Sequence, residues 1–246
     1  MIYGLIIGRE GSRGYPNKNI VEVLGRPIMS YPIIEARNSK YVNKIFLSTD
    51  SSTIGMIGEK YEAVLIKRPP ELCSDEALGE DVYKHGYDWI KDNVCQNIEL
   101  MVLLHCNAVT VTTELIDKGI EILRGNPDLD SAVSVSRYNM WSPLRARKIN
   151  AEGLLDPFVP FETFGDPKTL NCDRDSQGDV WFADMALSIV RPSCLENLEE
   201  GLLPQKWMGR RIYPLKQEGG FDIDYEWQLP MLEYWLKTYG RYGRKI

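Results

Sequence analysis

The stretch "IIGREGSRGYPNKN", residues 6–19, begins as a buried strand and turns abruptly into glycine, arginine and lysine. Gly8, Gly11 and Gly14 sit among Arg9, Arg13 and Lys18, with Pro16, Asn17 and Asn19 close by. A strand that runs into a glycine-rich turn exposes backbone N–H groups. Such concave nests bind phosphate oxygens, while Arg and Lys neutralise the charge. The loop is neither of the two common phosphate cradles. No Gly-Lys-Ser/Thr opens the following helix, and the glycine spacing is G-x-x-G-x-x-G rather than G-x-G-x-x-G. The competing reading is a solvated turn whose glycines only supply positive φ.

Working outward from that loop, short apolar runs alternate with amphipathic stretches. "IYGLII" (2–7) has the length and continuous hydrophobicity of a buried parallel strand. "KIFLST" (44–49), "AVLIK" (63–67), "ELMVLLH" (99–105) and "SAVSVS" (131–136) repeat the pattern. Between them, "IMSYPIIEARNS" (28–39), "STIGMIGEKY" (52–61), "EDVYKHGYDWIKDN" (80–93) and "TELIDKGIEILR" (113–124) read as helices, the first starting near Pro32. The series predicts an α/β fold with a doubly wound, mostly parallel sheet. Ligands of such sheets sit beyond the carboxyl ends of the strands. The opening loop, the residues after Thr49 and "HCN" (105–107) all fall on that edge.

The rhythm breaks near Trp141. Residues 141–180 are rich in Pro, Asp and aromatics, and a structureless loop of that length is improbable inside a compact domain. This segment is expected to be an inserted arm and a dimerisation element within a single domain, 1–246. The α/β pattern resumes with "VWFADMALSIV" (180–190), "RRIYPL" (210–215) and a last helix, "YEWQLPMLEYWLKT" (225–238), which Pro230 should kink or interrupt.

Composition limits the partners. A net charge of −6 argues against a nucleic-acid binder, which normally carries a basic excess. No apolar run reaches the ~18–20 residues of a membrane span, so no membrane partner is expected. With no basic leader before the first strand, the expected location is cytoplasmic. Five cysteines (Cys73, Cys95, Cys106, Cys172, Cys194) form no C-x-x-C, which agrees with a reducing compartment and no structural zinc.

Near the C-terminus, "GGFDIDYEWQ" (219–228) places Asp222 and Asp224 two apart around an apolar residue. In an extended stretch both carboxylates project to one side and can face one cation. A few hard oxygen ligands, completed by water and nucleotide phosphates, suit Mg²⁺. The alternative is a helix cap, with Asp224 capping the terminal helix.

Taken in order, these segments resemble a known family. "GREGSRGYPNKN" is similar to the signature R-x-x-S-[KR]-x-x-x-K-N of cytidylyltransferases that activate acidic sugars, the CMP-sialic acid synthetase or acylneuraminate cytidylyltransferase type. "LSTD" (47–50), "RPPELCSD" (68–75) and "GGFDID" follow at similar spacing, so the likeness runs over nearly the whole chain. It implies a Rossmann-like nucleotidyltransferase with a dimerisation excursion, a homodimer, and transfer of CMP from CTP with release of pyrophosphate. By the same resemblance, Arg9 and Lys18 contact the CTP phosphates and stabilise the leaving group. Gly8, Gly11, Ser12, Arg13 and Asn19 complete the triphosphate and ribose site. Arg68 reaches the cytosine edge, with Asp75 of the same stretch in the CTP site; its alternative is a surface Arg paired with Glu71 or Asp75. Asp222 and Asp224 hold Mg²⁺, Arg145 in "SPLRARK" lies near the reacting phosphates, and Arg174 reaches toward the partner subunit's site.

The departures from the family concern the acceptor. Where the relatives read "QPTSPLR" after the fourth strand, this chain has "HCNAVTV" (105–111), and "ADMALS" (183–188) replaces "NGAIY". His105, Asn107, Arg174 and Asp184 therefore stand at the expected acceptor positions. Either an acidic sugar or a small phosphonate or phosphate could be the acceptor. An anionic phosphorus acceptor needs extra cations, for which Arg145, Lys148, Arg174 and His105 are the candidates. His105 could equally be a hydrogen-bonded part of the cleft wall, and His85 reads as an ordinary helix residue. Two further classes stay open: an NAD-binding oxidoreductase, weakened by the missing G-x-G-x-x-G, and a non-catalytic nucleotide-binding protein.

Overall fold

The computed structural model describes residues 1–11, 14–74, 76–173 and 178–242. In chain order the first half runs β1 (Ile2–Ile7), a two-residue ribbon of β2 (Glu22–Val23) and β3 (Arg26–Pro27), α1 (Ser30–Asn38), β4 (Lys44–Thr49), α2 (Ser52–Lys60), β5 (Val64–Lys67) and α3 (Gly79–Asn93). Then follow β6 (Leu100–His105), α4 (Thr113–Gly125) and β7 (Ser131–Arg137). The second half holds a small hairpin, β8 (Arg147–Ile149) with β9 (Leu155–Pro157), then β10 (Trp181–Val190), α5 (Pro192–Glu196), β11 (Ile212–Gln217) and α6 (Leu229–Thr238).

Seven strands form one sheet in the order β11-β7-β10-β6-β1-β4-β5, and β10 alone runs antiparallel to its neighbours. The buried strands explain their own sequence. In β1, Ile2 and Ile6 face one core while Tyr3, Leu5 and Ile7 face the other. β6 splits likewise, with Leu100, Val102 and Leu104 opposite Met101 and Leu103. A strand covered on both faces must be apolar at every position, which produces continuous runs instead of alternation. Helices α1, α2 and α4 cover one face, α3 and α5 the other. The doubly wound, mostly parallel expectation is met.

Two local differences have simple causes. The final helix starts at Leu229, so Pro230 lies in its first turn, where a missing N–H costs nothing. It initiates the helix instead of kinking it. A short 3₁₀ turn, Glu226–Gln228, precedes it. Between β7 and β10 the chain leaves the main sheet for the β8–β9 hairpin and several 3₁₀ turns. Ile149, Leu154, Leu155 and Phe158 are exposed there.

Asp184, expected at the acceptor, lies elsewhere. The pairing of β10 with β7 breaks between Ala183 and Ser188, and Met185 adopts φ 63° there. The buried Asp184 carboxylate fills the irregularity. Ser134 Oγ donates to it at 2.5 Å, Ser136 Oγ at 2.7 Å, Gln217 Nε2 at 2.9 Å and the Ala186 N–H at 3.3 Å. A carboxylate with four donors inside the sheet is a structural staple for β7, β10 and β11. Its removal orphans buried donors, so Asp184→Ala is expected to cost on the order of 3 kcal/mol in urea unfolding. A variant as stable as the parent would contradict the staple.

Candidate active site

The carboxyl ends of β1, β4, β5 and β6 share one edge, because Ile7 pairs with both Ser48 and His105, and Thr49 pairs with Lys67. Above that edge lies an open cleft of about 420 Å³. The opening loop supplies one wall through Gly8, Arg9, Gly14, Lys18 and Asn19. His105 and Asn107 supply the floor at the end of β6, and Asp224 closes the side. The opposite wall comes from Leu72, Ser74 and Ala77 with the first turn of α3 at Gly79 and Val82.

The opening loop is tied down by short-range contacts. Gly8 N–H donates to Ser48 O at 3.2 Å, and Asn19 Nδ2 donates to Arg9 O at 3.1 Å. Glu10 N–H donates to Asp50 Oδ1 at 3.1 Å, which anchors the loop to the residue after "LST". Two glycines are required by close approach. A Cβ on Gly8 would sit 2.4 Å from Cys106 Sγ, and one on Gly14 would sit 2.7 Å from the Asp224 carbonyl oxygen. Gly11, at φ 78°, lines a small recess beside the cleft instead of the cleft itself. Ser12, Arg13, Asp75 and Arg174 lie outside the described residues.

Lys18 brings the two halves of the sequence together. Its Nζ is 2.5 Å from Asp224 Oδ1, with Lys18 mostly buried and Asp224 half exposed. Asp222 sits behind Asp224 and accepts from Asn107 Nδ2 at 3.3 Å. Burial pushes the Asp222 carboxyl up from the usual carboxylate range and the Asp224 charge adds to this, against the opposing pull of Lys18. The two carboxylates are close enough for the Asp224 charge to act on Asp222, and Asp224 pairs with Lys18. Two adjacent hard-oxygen groups that repel each other form a donor set that fits Mg²⁺ when water and phosphate complete it.

Arg9 Nη1 donates to the carbonyl of Ser74 at 3.2 Å, from the opening loop to the opposite wall. Arg68 is not a surface residue, and among the described residues its hydrogen-bond partners are the exits of two strands and not Glu71. It is 5 % exposed, and its guanidinium donates to Ser48 Oγ, Ser48 O (2.6 Å) and Gly8 O (3.0 Å). It thus staples the exits of β1 and β4 while lining the cleft. His105 packs edge-on against Tyr83, with ring centroids 5.5 Å apart. Burial and then the nearby Lys18 charge lower its pKa to about 4, so at neutral pH it is uncharged. It supplies no cation.

Arg145 is not brought to the cleft of its own chain. Its Nη2 donates to Cys172 O at 2.7 Å, on the arm, where it lines a separate groove with Arg147 and Phe161. Lys148 is also on the arm, in β8. Several contributors escaped the sequence reading: Ser48 as the acceptor of Arg68, Ser74 as the acceptor of Arg9, and the first turn of α3. Only Gly79, ahead of an amphipathic run, hinted at a helix entry close to a ligand. Among the described residues no group of three His, Cys, Asp or Glu could hold a metal without help from a ligand.

Comparison with known proteins agrees with this geometry. N-acylneuraminate cytidylyltransferase of Escherichia coli is 29% identical over 138 residues, covering 56% of this chain and 32% of that protein. N-acylneuraminate cytidylyltransferase A of Danio rerio is 26% identical over 246 residues, covering 99% of this chain and 52% of the relative. The chain thus spans about half the length of these curated relatives, or less. Among solved structures, CMP:2-keto-3-deoxy-manno-octonic acid synthetase complexed with CTP superimposes with a TM-score of 0.68 at 12% identity, over 96% of this chain and 98% of that one. A likeness at that identity concerns the fold, and the fold is the Rossmann-like nucleotidyltransferase one. The cytidylyltransferase family model matches residues 3–150, more than half of the chain, and the chain belongs to that family.

Proposed function

We propose that this protein transfers CMP from CTP to the anomeric oxygen of an acidic sugar, a sialic acid-like nonulosonate, and releases pyrophosphate. The observation that carries the reading is the meeting of Lys18 with the Asp222–Asp224 pair at the mouth of a nest of backbone and cationic groups. Arg9 and Lys18 would take the triphosphate, and charge developing on pyrophosphate would be offset by the same two side chains. The acceptor hydroxyl gives up its proton to solvent water as the new O–P bond forms and the bond to pyrophosphate breaks. Asp222 and Asp224 would hold Mg²⁺, which, when bound, supplies neutralisation of phosphate charge. Asn107 and His105 face the acceptor side as neutral hydrogen-bonding groups.

The same electrostatics weigh against a phosphonate or phosphate acceptor. Two anions brought together in a dry cleft repel by several kcal/mol unless extra cations intervene. Of the four expected cations, Arg145 and Lys148 lie on the arm, His105 is neutral and Arg174 lies outside the described residues. A sugar acid with one carboxylate asks for less. The names of the relatives, N-acylneuraminate cytidylyltransferases, support the same class. The exposed Ile149, Leu154, Leu155 and Phe158 on the arm support a homodimer in which this surface is covered. Among the described residues no helix is long and apolar enough to cross a membrane.

Pyrophosphate release measured with CTP and Mg²⁺ is expected with N-acetylneuraminate or a related deoxy-ulosonic acid, and not with ATP, GTP or UTP. Release only with a small phosphonate would overturn the acceptor assignment. Asp224→Asn should lower kcat by at least about 100-fold with the circular dichroism spectrum unchanged. Near-normal Mg²⁺-dependent turnover in that variant would remove Asp224 from the chemistry. His105 resists protonation in the folded state, whereas an unfolded His titrates near 6.5. Its contribution to stability is therefore complete above 6.5 and declines as the pH falls toward about 4. His105→Gln should flatten that decline, read from urea midpoints at pH 7 and pH 4.5. An identical decline in the variant would exclude His105 as its source.

A further inference from the structure

The carboxylates Asp222 and Asp224 stand on a stretch, residues 220–224, that belongs to no helix or strand. Buried backbone N–H and C=O groups still need partners. Here side chains and one loop take the place of a neighbouring strand. Gly220 N–H donates to Ser136 Oγ, and Phe221 N–H to Thr110 Oγ1. Ile223 exchanges two hydrogen bonds with Asn107, its N–H donating to the Asn107 carbonyl and its own carbonyl accepting from Asn107 Nδ2. From the side of α6, one side chain does the work on both carboxylate residues. Gln228 Oε1 accepts from the N–H of Asp224 at 2.7 Å and of Tyr225 at 2.8 Å, while Gln228 Nε2 donates to Asp222 O at 3.2 Å.

We propose that Gln228 is a positioning residue that sets the mutual orientation of Asp222 and Asp224. It acts through three hydrogen bonds to their backbone and to Tyr225, without touching substrate. The inference rests on the reading of these two Asp residues as the metal-binding pair. A planar amide that grips the carbonyl of Asp222 and the N–H of Asp224 restrains the backbone torsions between them, and those torsions aim both side chains. Its own backbone is held where the chain enters α6, whose Leu232, Trp235 and Leu236 are buried. Asp224 and Tyr225 are exposed enough for water to replace the lost partner. Removing the amide should therefore loosen the carboxylates without unfolding the chain. Partners that orient metal ligands in this way are typically worth about 10–100-fold in metal affinity.

The test compares the parent protein with Gln228→Met, which keeps the side-chain length but no hydrogen bonds, and with Gln228→Ala. Mn²⁺ binding at saturating CTP is read by electron paramagnetic resonance, and CTP binding in EDTA by calorimetry, with thermal melting alongside. Both variants are expected to bind Mn²⁺ about tenfold more weakly or worse, with metal-free CTP affinity and melting close to the parent. In turnover, kcat should fall while KM for CTP stays near the parental value. Parental Mn²⁺ affinity in Gln228→Met would overturn the positioning role. Parallel loss of Mn²⁺ binding, metal-free CTP binding and melting temperature would overturn it too, by making Gln228 a general structural residue. If the parent itself binds no Mn²⁺ with CTP, the metal reading of the Asp pair fails and takes this inference with it.

Discussion

One ion pair joins the first strand's loop to the last segment before the terminal helix. Lys18 and Asp224 are 206 residues apart in sequence, and their contact closes the side of the cleft. Neither segment has a strand partner at that point, and the two meet through this pair and at Gly14, whose missing Cβ admits the Asp224 carbonyl. The arrangement also has a chemical consequence. Lys18 holds the Asp224 carboxylate, whose charge adds to burial in raising the proton affinity of Asp222, and a triphosphate with a divalent cation would present Lys18 and Asp224 with stronger partners. Lys18 thus offsets part of the carboxylate charge, which limits the electrostatic cost of keeping the half-buried Asp222 beside the exposed Asp224.

The edge of the sheet is a second constraint. Strands that end side by side leave carbonyls pointing toward the ligand space, and Arg68 satisfies those of Ser48 and Gly8 from below. A guanidinium with rigidly placed donors can do this for two strands at once, which an ammonium could not. Burial lowers its pKa, as expected for a cation held mainly by neutral carbonyls, with the Asp50 charge as the largest opposing influence. Arg68 thus ties the ends of β1 and β4 together beside the cleft, whose walls come from loops and the first turn of α3.

Much of this was legible in the sequence because the governing signals are local. Continuous apolar runs named the buried strands, and "IYGLII" coincides with β1. Strand ends pointed to the edge where the cleft lies, and the glycines of the opening loop and Asp224 line it or its rim. Side-chain destinations were less legible where they depend on long-range registry. Asp184 is expected at the acceptor, yet it turns into the sheet because Ser134, Ser136 and Gln217 from two other strands meet it there. Arg145 follows the arm's own packing. The neutral state of His105 depends on Tyr83 and Lys18, both distant in sequence. Gln228 looked like one residue of a helix, since its three backbone partners exist only once residues 222–225 are extended.

The central claim is that the opening loop and Lys18 receive the triphosphate of CTP. A crystal structure with CTP bound tests it most directly. The account predicts phosphate oxygens on Arg9 and Lys18, with Lys18 Nζ drawn off Asp224 toward the nucleotide and the base beside Gly8 and Arg68. CTP bound away from the loop, with the Lys18–Asp224 contact intact, would contradict it.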